Sequence, residues 1–583
     1  SIQMNQSMIL LPEVPMKPRL ADPRVGWFTM DQIDYGSNEL KSDSKTFIRR
    51  WRLEPKDPEA YARGELVEPI KPIVYYIDPA TPEKLRKYIK EGIEEWQKPF
   101  EAAGFKNAII AKDPPTKEED PDFSPEDIRY SVIRYVASTT RNAVGPSVSD
   151  PRTGEIIESD VIWYHNHLRS YRNRYLLETG AANPSARTLN TSDEEMGEMM
   201  RFVIAHEVGH ALGFPHNMGA SSAYDVESYR NAAFTQKYGI AASLMDYARF
   251  NYIAQPGDKG VRFIRQMGPY DYYALNWGYR VIPNATSPEA EVPTLDKWIL
   301  EKAGDLNYKF GKQSSSFDPT SQTEDIGNNS MKASAYGLKN LEYVAANLSK
   351  WTSDVTNNYD DLDELYKEML DVWSRYVGHV VTNVGGVYEN TKKPIQQGSI
   401  YDVVPKAKQQ EAMQWLQSNA FASPTWLVNI STLRNINYSG YTERFRGLQV
   451  RHLNTILSLD RIGRLMDAEI LGANNYTATD LLQDMRKAIW KEASSGSNVT
   501  IYRRNLQRAF IERMSYLMTE ELKTGASRDY YNVSQSDIRG LVRGQLNILK
   551  GTLATAKSGA VNAETKFHYL DCIKRIEAIL DPK

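Results

Sequence analysis

At 583 residues the chain exceeds what one hydrophobic core usually absorbs, so about two to four domains are expected. Hydrophobic residues make up 41% and charged residues 25%, a soluble globular balance that excludes a mainly disordered or collagen-like chain. Lys+Arg at 71 against Asp+Glu at 74 leaves a net charge of −3, and no stretch gathers enough basic side chains to grip nucleic acid. No window approaches the roughly 18 apolar residues of a membrane span, and the N-terminus lacks the basic and apolar regions of a signal peptide. Ser1 stands where an initiator Met would, so a processed or truncated chain is expected. Any export signal then lies upstream, and an extracytoplasmic location (periplasmic, cell-surface or secreted) is the expectation. The single cysteine, Cys572, excludes intramolecular disulfides and Cys-based zinc cages. Its helical spacing from Tyr569, Ile573 and Ile576 reads as core packing.

Residues 1–70 are proline-rich and read as an N-terminal arm, with Arg49-Arg50-Trp51-Arg52-Leu53 as the one strand-like stretch. Ile73–Ile77 is a short buried-strand run. Thr81 as N-cap and Pro82 at N1 then open a helix whose face carries Leu85, Tyr88, Ile89, Ile93, Trp96 and Phe100, ending at Gly104. Further strands are expected at 108–111, 128–136, 144–149 and 155–164, the last two flanking an Asp150-Pro151-Arg152-Thr153-Gly154 turn. Beyond Gly278, Pro283, Asn284 and Pro288, helical periodicity dominates to the end. Its clearest stripe is Phe445, Leu448, His452, Ile456, Leu459, Gly463, Met466 and Ile470. Helices are expected near 328–349, 357–380, 478–492, 498–520, 534–555 and 564–581. The domains expected are thus an arm at 1–70, a mixed α+β domain at 71–283 and an α-helical domain at 284–583.

One segment decides the chemistry: His206-Glu207-Val208-Gly209-His210-Ala211-Leu212-Gly213-Phe214-Pro215-His216, an HExxHxxGxxH run without a mismatch. With eight histidines in the chain, a chance match is on the order of 10⁻⁵. Residues four apart share a helix face, so His206 and His210 can converge on one cation, and Gly213 can take φ > 0 and turn His216 toward it. The preceding helix is expected to start at Thr191 or Ser192, with Asp193, Glu194 and Glu195 in its first turn. Three imidazoles leave a position open on one zinc ion, the arrangement of a catalytic rather than a structural site. Glu207 then stands beside the cleft as a general base for a metal-activated water. His165-Asn166-His167 reads as an ordinary loop without a third ligand. His379, His452 and His568 read as structural.

From these residues the sequence resembles the metzincin clan of zinc metallopeptidases. Ser243-Leu244-Met245-Asp246-Tyr247 looks like the Met-turn, which implies Met245 as a hydrophobic floor beneath the histidines and Tyr247 as a zinc ligand or a group that stabilises the tetrahedral intermediate. The order of elements upstream is similar to the clan's upper subdomain, and Pro269-Tyr270-Asp271 with Ala274, Leu275, Trp277 and Gly278 resembles its closing helix. The resemblance implies an α+β catalytic domain with a five-stranded twisted mixed sheet, an active-site helix and a Met-turn, followed by a mostly helical domain. It puts Val144, Gly145, Ser147 and Val148 on the substrate-binding edge strand, where Pro146 suits an edge. Trp51-Arg-Leu-Glu, Met245-Asp-Tyr-Ala-Arg-Phe-Asn-Tyr and the long helical C-terminal region look most like a family of bacterial zinc-dependent metallopeptidases. Two features depart from the clan's pattern. Asn217 follows the third histidine where several branches carry an acid, and no cysteine precedes the catalytic region to serve as a cysteine switch.

The function expected is a zinc metalloendopeptidase acting on a peptide or protein substrate, with no obligate protein partner evident. Two other readings stand beside it: another zinc hydrolase, exopeptidase or amidase, and a catalytically silent binding or scaffold protein. Retention of Glu207 argues against the silent reading, which has no chemical need for that carboxylate.

Overall fold

The computed structural model describes residues 6–36, 40–312, 317–353, 357–520 and 532–582; Ser1 lies outside them. The chain divides into two compact units, Ser1–Ser314 with Thr320–Asn329, and Ser315–Pro319 with Ser330–Lys583.

The first unit opens with an antiparallel hairpin, β1 (Thr29–Asp34) and β2 (Asp43–Ile48). The sequence pointed instead to 49–53 as the strand, where only Arg50 makes an isolated bridge, to Glu155. The hairpin owes its place to tertiary anchors. Trp27, just before β1, lies with its ring 4.4 Å from that of Phe214 and 5.7 Å from that of Tyr279, and Phe47 and Ile48 are buried. The residues read as an arm therefore contribute to this unit's core.

After α1 (Pro58–Ala62) comes β3 (Ile73–Ile77), whose Ile73, Tyr75 and Ile77 are buried. The single helix expected next is two, α2 (Glu83–Glu94) and α3 (Gln97–Ala102), and α2 takes Pro82 as its N-cap rather than Thr81. The apolar face persists across the break, since Trp96 at the junction is fully buried and donates its indole N–H to the Ala205 carbonyl at 2.7 Å. The strands β4 (Ile109–Lys112), β5 (Ser131–Val136), β6 (Ala143–Val144), β7 (Val148–Ser149), β8 (Ile156–Glu158) and β9 (Val161–Tyr164) follow. A five-stranded mixed sheet runs β4-β3-β5-β9-β6, parallel except for β6 at its edge. The expected strand 144–149 is split: β6 pairs with β9, whereas β7 pairs with β8 across the Asp150–Gly154 turn. The interruption has a physical reason. A Cβ on Gly145 would lie 2.3 Å from the Glu207 carbonyl oxygen, so the backbone there rests on a helix, and Pro146 has no N–H for a ladder.

The unit is completed by α4 (His167–Thr179), α5 (Asp193–Ala211), α6 (Ala232–Tyr238), α7 (Pro269–Tyr279) and α8 (Pro288–Leu300). Met199, Met200, Val203, Ile204 and Val208 of α5 are buried in one core with Ile89 and Ile93 of α2 and Tyr75 of β3. The mixed sheet, this helix and the helical region that follows make the fold α+β.

The second unit is mainly helical: α9 (Ser330–Ser353), α10 (Asp360–Val381), α11 (Lys406–Asn419), α12 (Ile430–Ile436), α13 (Tyr441–Ile456), α14 (Leu459–Leu471), α15 (Ala478–Ile489), α16 (Lys491–Ser495), α17 (Ile501–Thr519), α18 (Ile538–Ala556) and α19 (Ala563–Leu580). It also holds a small hairpin unread in the sequence, β10 (Val387–Glu389) with β11 (Tyr401–Val403). The long stripe at 445–470 breaks at Leu457–Ser458, although Phe445, Leu448, Ile456, Leu459 and Ile462 stay buried on either side. Cys572 is buried, as its spacing implied. Among the described residues no helix is long and apolar enough to cross a membrane.

Trp27→Ala is expected to cost the first unit about 3–5 kcal/mol. The check is the urea midpoint of that unit, and an unchanged midpoint would remove the N-terminal residues from its core.

Candidate metal centre and active site

Helix α5 starts where its sequence calls for it: the Ser192 side chain accepts the Glu195 N–H at 3.2 Å, and Asp193, Glu194 and Glu195 sit in the first turn, where the helix dipole favours carboxylates. Its last turns carry His206 and His210 on one face. The chain then turns at Gly213, whose φ of +111° and close approach to the Arg49 carbonyl leave no room for a side chain. That turn brings His216 back onto the other two.

The three imidazoles converge, with ligand-capable atoms within 4.8 Å of one another. Among the described residues no other such group of His, Cys, Asp or Glu occurs. His206 Nδ1 donates to the Leu244 carbonyl at 2.8 Å and His210 Nδ1 to the Phe214 carbonyl at 2.7 Å. A carbonyl only accepts, so each Nδ1 carries the proton and each Nε2 keeps its lone pair for a cation. His210 Nε2 lies 3.1 Å from His216 Nε2, close to the roughly 3.3 Å between two nitrogens on a tetrahedral zinc. His206 Nε2 is buried without a hydrogen-bond partner among the described residues, a costly state that a metal ion relieves. Burial holds His206 well below its ordinary pKa and pulls His210 down to about 3, so both imidazoles are neutral, the form a metal needs. The donor set therefore fits zinc.

Beneath the histidines runs the turn Ser243–Tyr247. Asp271, in the first turn of α7, accepts from Ser243 Oγ at 2.6 Å, from the Leu244 N–H at 2.7 Å and from the Gly268 N–H at 2.8 Å. Met245 is buried against α5: a Cβ on Gly209 would lie 2.3 Å from its sulfur and 2.8 Å from the Trp96 ring. Tyr247 is half-buried, its ring centroid 4.2 Å from that of His216 and 5.5 Å from that of His206. Burial, with Glu207 adding, pushes its hydroxyl up to about 12.

Glu207 is 7% exposed, and its carboxylate makes no hydrogen bond or ion pair among the described residues. Burial pushes it up to about 8, with Arg265 drawing it back down. A divalent cation nearby favours its charged form further.

Of the expected edge residues, Val144 lies in the outermost strand of the mixed sheet, Gly145 on the ligand-bearing turn of α5, and Val148 in the separate hairpin. Ser147 falls between the two strands. His165 and His167 do not gather a third ligand: His167 opens α4, buried edge-on against Trp163 and Tyr171, while His165 pairs with the Tyr135 hydroxyl.

Sequence reasoning missed three contributors. Arg265, fully buried, donates to the Leu244 carbonyl at 3.0 Å and lies 3.4 Å from His206 Nδ1. Asp271 was read only as part of the closing helix. Asn217, noted for its departure from the clan, fixes a later segment with both ends of its amide, accepting from the Gly311 N–H at 2.8 Å and donating to the Lys309 carbonyl at 3.1 Å. Nothing in local spacing marks Arg265, whereas the buried Asn217 directly after His216 was a findable signal.

A family model described as Met-zincin matches residues 188–496, over half of the chain, from the approach to α5 through α16. The chain belongs to the Met-zincin family. A second model, a domain of unknown function, matches residues 1–56 of this Met-zincin. Searches of curated proteins and of solved structures return no match. Membership makes this Met-zincin a zinc metallopeptidase of the metzincin clan, a hydrolase whose substrates are peptides or proteins.

Gly209→Ala forces a methyl group into the Met245 sulfur and the Trp96 ring. It is expected to cost about 1–3 kcal/mol and to lower zinc affinity by displacing the turn beneath the histidines. Thermal denaturation and zinc titration check the two effects separately.

Proposed function

We propose that this Met-zincin is an endopeptidase in which His206, His210 and His216 hold zinc, Glu207 is the general base and the turn carrying Met245 is the Met-turn. The observation that carries the reading is Glu207 itself. It is an almost fully buried carboxylate without a hydrogen-bond partner among the described residues, directly after a histidine of the trio. Such a group costs stability unless it has a task.

Zinc, when bound, supplies Lewis acidity at the scissile carbonyl and lowers the pKa of a water. The residues of the chain do the rest. A Glu207 Oε takes the proton of the attacking water and passes it to the leaving amine, so one side chain serves as base and then as acid. The Tyr247 hydroxyl, kept protonated by burial, donates to the oxyanion that develops on the substrate. Met245 does not touch substrate; its contact with Gly209 keeps the trio's distances constant. An extended peptide adds alongside β6, the outermost strand of the sheet, through main-chain hydrogen bonds, which favours cleavage within unstructured segments over any one side-chain preference.

Metal analysis is expected to give about one zinc per chain in the wild type and in Glu207→Gln, and far less in His206→Ala. Glu207→Gln should lose hydrolysis of a proteome-derived peptide library by roughly 10²-fold to 10⁴-fold, because a general base is gone while the ligands remain. Full metal with full activity in that variant removes the mechanism. Sequenced product termini separate internal from terminal cleavage.

Peptides N-methylated beside the scissile bond lose the main-chain donors that β6 engages. Their kcat/KM is expected to fall about tenfold or more against unmethylated controls. Equal kinetics would move the substrate off this edge.

A further inference from the structure

We propose that Arg249 and Glu324 are positioning residues for Tyr247, so that a segment beyond α8 and more than a hundred residues after His216 sets the reach of the tyrosine hydroxyl. The proposal rests on the reading of Tyr247 as an oxyanion donor.

Glu324 belongs to the return segment Thr320–Asn329 of the first unit and is buried, 5% exposed. One of its oxygens accepts from Arg174 at 2.6 Å and the other from Arg249 Nε. Arg174 also pairs with the buried Glu178 at 2.7 Å, giving a network of two cations and two anions. The Arg249 guanidinium stands 5.9 Å from the Tyr247 ring centroid and 5.4 Å from that of Tyr171. Tyr171 is itself held edge-on by His167, Phe202 and Phe250. Tyr247 thus has both a fixed cation and the His206 and His216 rings as neighbours. A guanidinium near an aromatic face holds it by cation–π attraction, which strengthens where water is excluded.

Two observations argue against a purely structural ion pair. Buried ion pairs contribute little net stability. Glu324 also has a φ of +64°, a left-handed conformation that costs a non-glycine residue about 1 kcal/mol or more. The backbone around it is pinned to keep that geometry: the Ile326 N–H donates to the Tyr252 hydroxyl at 3.2 Å, Gly327 N–H to the Tyr229 hydroxyl at 3.1 Å and Asn328 N–H to the Tyr224 carbonyl at 2.9 Å. Strain that delivers one carboxylate to the Arg249 and Arg174 guanidiniums has a use in holding Tyr247 through Arg249.

The test is a mutant cycle in the full-length, zinc-loaded protein, with unfolded casein and the peptide library as substrates. Arg249→Met and the near-isosteric Glu324→Gln should each lower kcat about tenfold while KM stays within about twofold, and Arg249→Lys should restore part of the loss. In the Tyr247→Phe background the same changes should add nothing further. Zinc content and near-ultraviolet circular dichroism confirm that each variant is folded, and Glu324→Gln stands in if Arg249→Met is not. Losses that multiply with Tyr247→Phe, or an unchanged kcat in both single variants, overturn the positioning role while leaving Tyr247 as a donor. An unchanged kcat in Tyr247→Phe itself, or a wild type that cleaves neither substrate, overturns the underlying reading, and this proposal with it.

Discussion

His206 is oriented by the carbonyl of Leu244, and Asp271 holds the same residue through its backbone N–H. The link matters because an imidazole on a helix can rotate about two side-chain bonds, and only an external acceptor selects one orientation and one tautomer. Asp271 can serve only because α7 begins at Pro269, where unpaired N–H groups and the helix dipole favour a carboxylate. Two hydrogen bonds through Leu244 therefore connect the closing helix to the first histidine of the trio. Met245 fills the space beneath, and Gly209 is small so that the turn can approach α5 this closely. The sheet is coupled to the same helix from the other side, through Trp96 and its bond to the Ala205 carbonyl.

How much of this was legible follows from how local each signal is. The trio required only i,i+4 spacing and a glycine that could turn the chain, and both are local, so the sequence pointed to His206, His210, Gly213 and His216 as the structure arranges them. Strand β3 and helices α9, α10, α15, α17, α18 and α19 were legible for the same reason, since apolar periodicity survives wherever one face is buried. The breaks in α2/α3 and α13/α14 were not, because the stripe of buried residues continues across each bend. In the β1–β2 hairpin the strand sequences TMDQID and DSKTFI carry Asp, Gln and Lys, poor strand formers, and their pairing depends on Trp27 and Phe214, which lie far apart in sequence. Arg265, Asn217 and Glu324 are the extreme case: each acts through a partner more than fifty residues away.

Charge near the histidines follows a pattern that a list of ligands misses. Two arginines, Arg265 and Arg249, lie at or near the level of the trio, where acidic outer partners are the commoner choice for a metal site. Each is answered differently. Arg249 has Glu324, with which it forms a closed network. Among the described residues Arg265 has no carboxylate in contact and its buried Nε no partner; it donates to the Leu244 carbonyl and stands over the Phe202 ring. Burial accordingly pulls Arg265 below its ordinary pKa, with Asp246 and Tyr171 opposing.

A buried cation of this kind is costly, and its compensation lies in the carboxylates that it faces without touching. It draws down the pKa of both Glu207 and Asp246 against burial, so the two acids share one source of positive potential. Asp246 uses that potential structurally, accepting from the Ser221 and Ala248 N–H groups at 2.8 Å each and so holding the turn. Glu207 makes no such bonds among the described residues. Hydrogen bonding thus distinguishes two buried carboxylates, Asp246 of the turn, fixed as a scaffold, and Glu207 of α5, whose oxygens have no hydrogen-bond partner among the described residues, so that burial leaves them in different electrostatic settings.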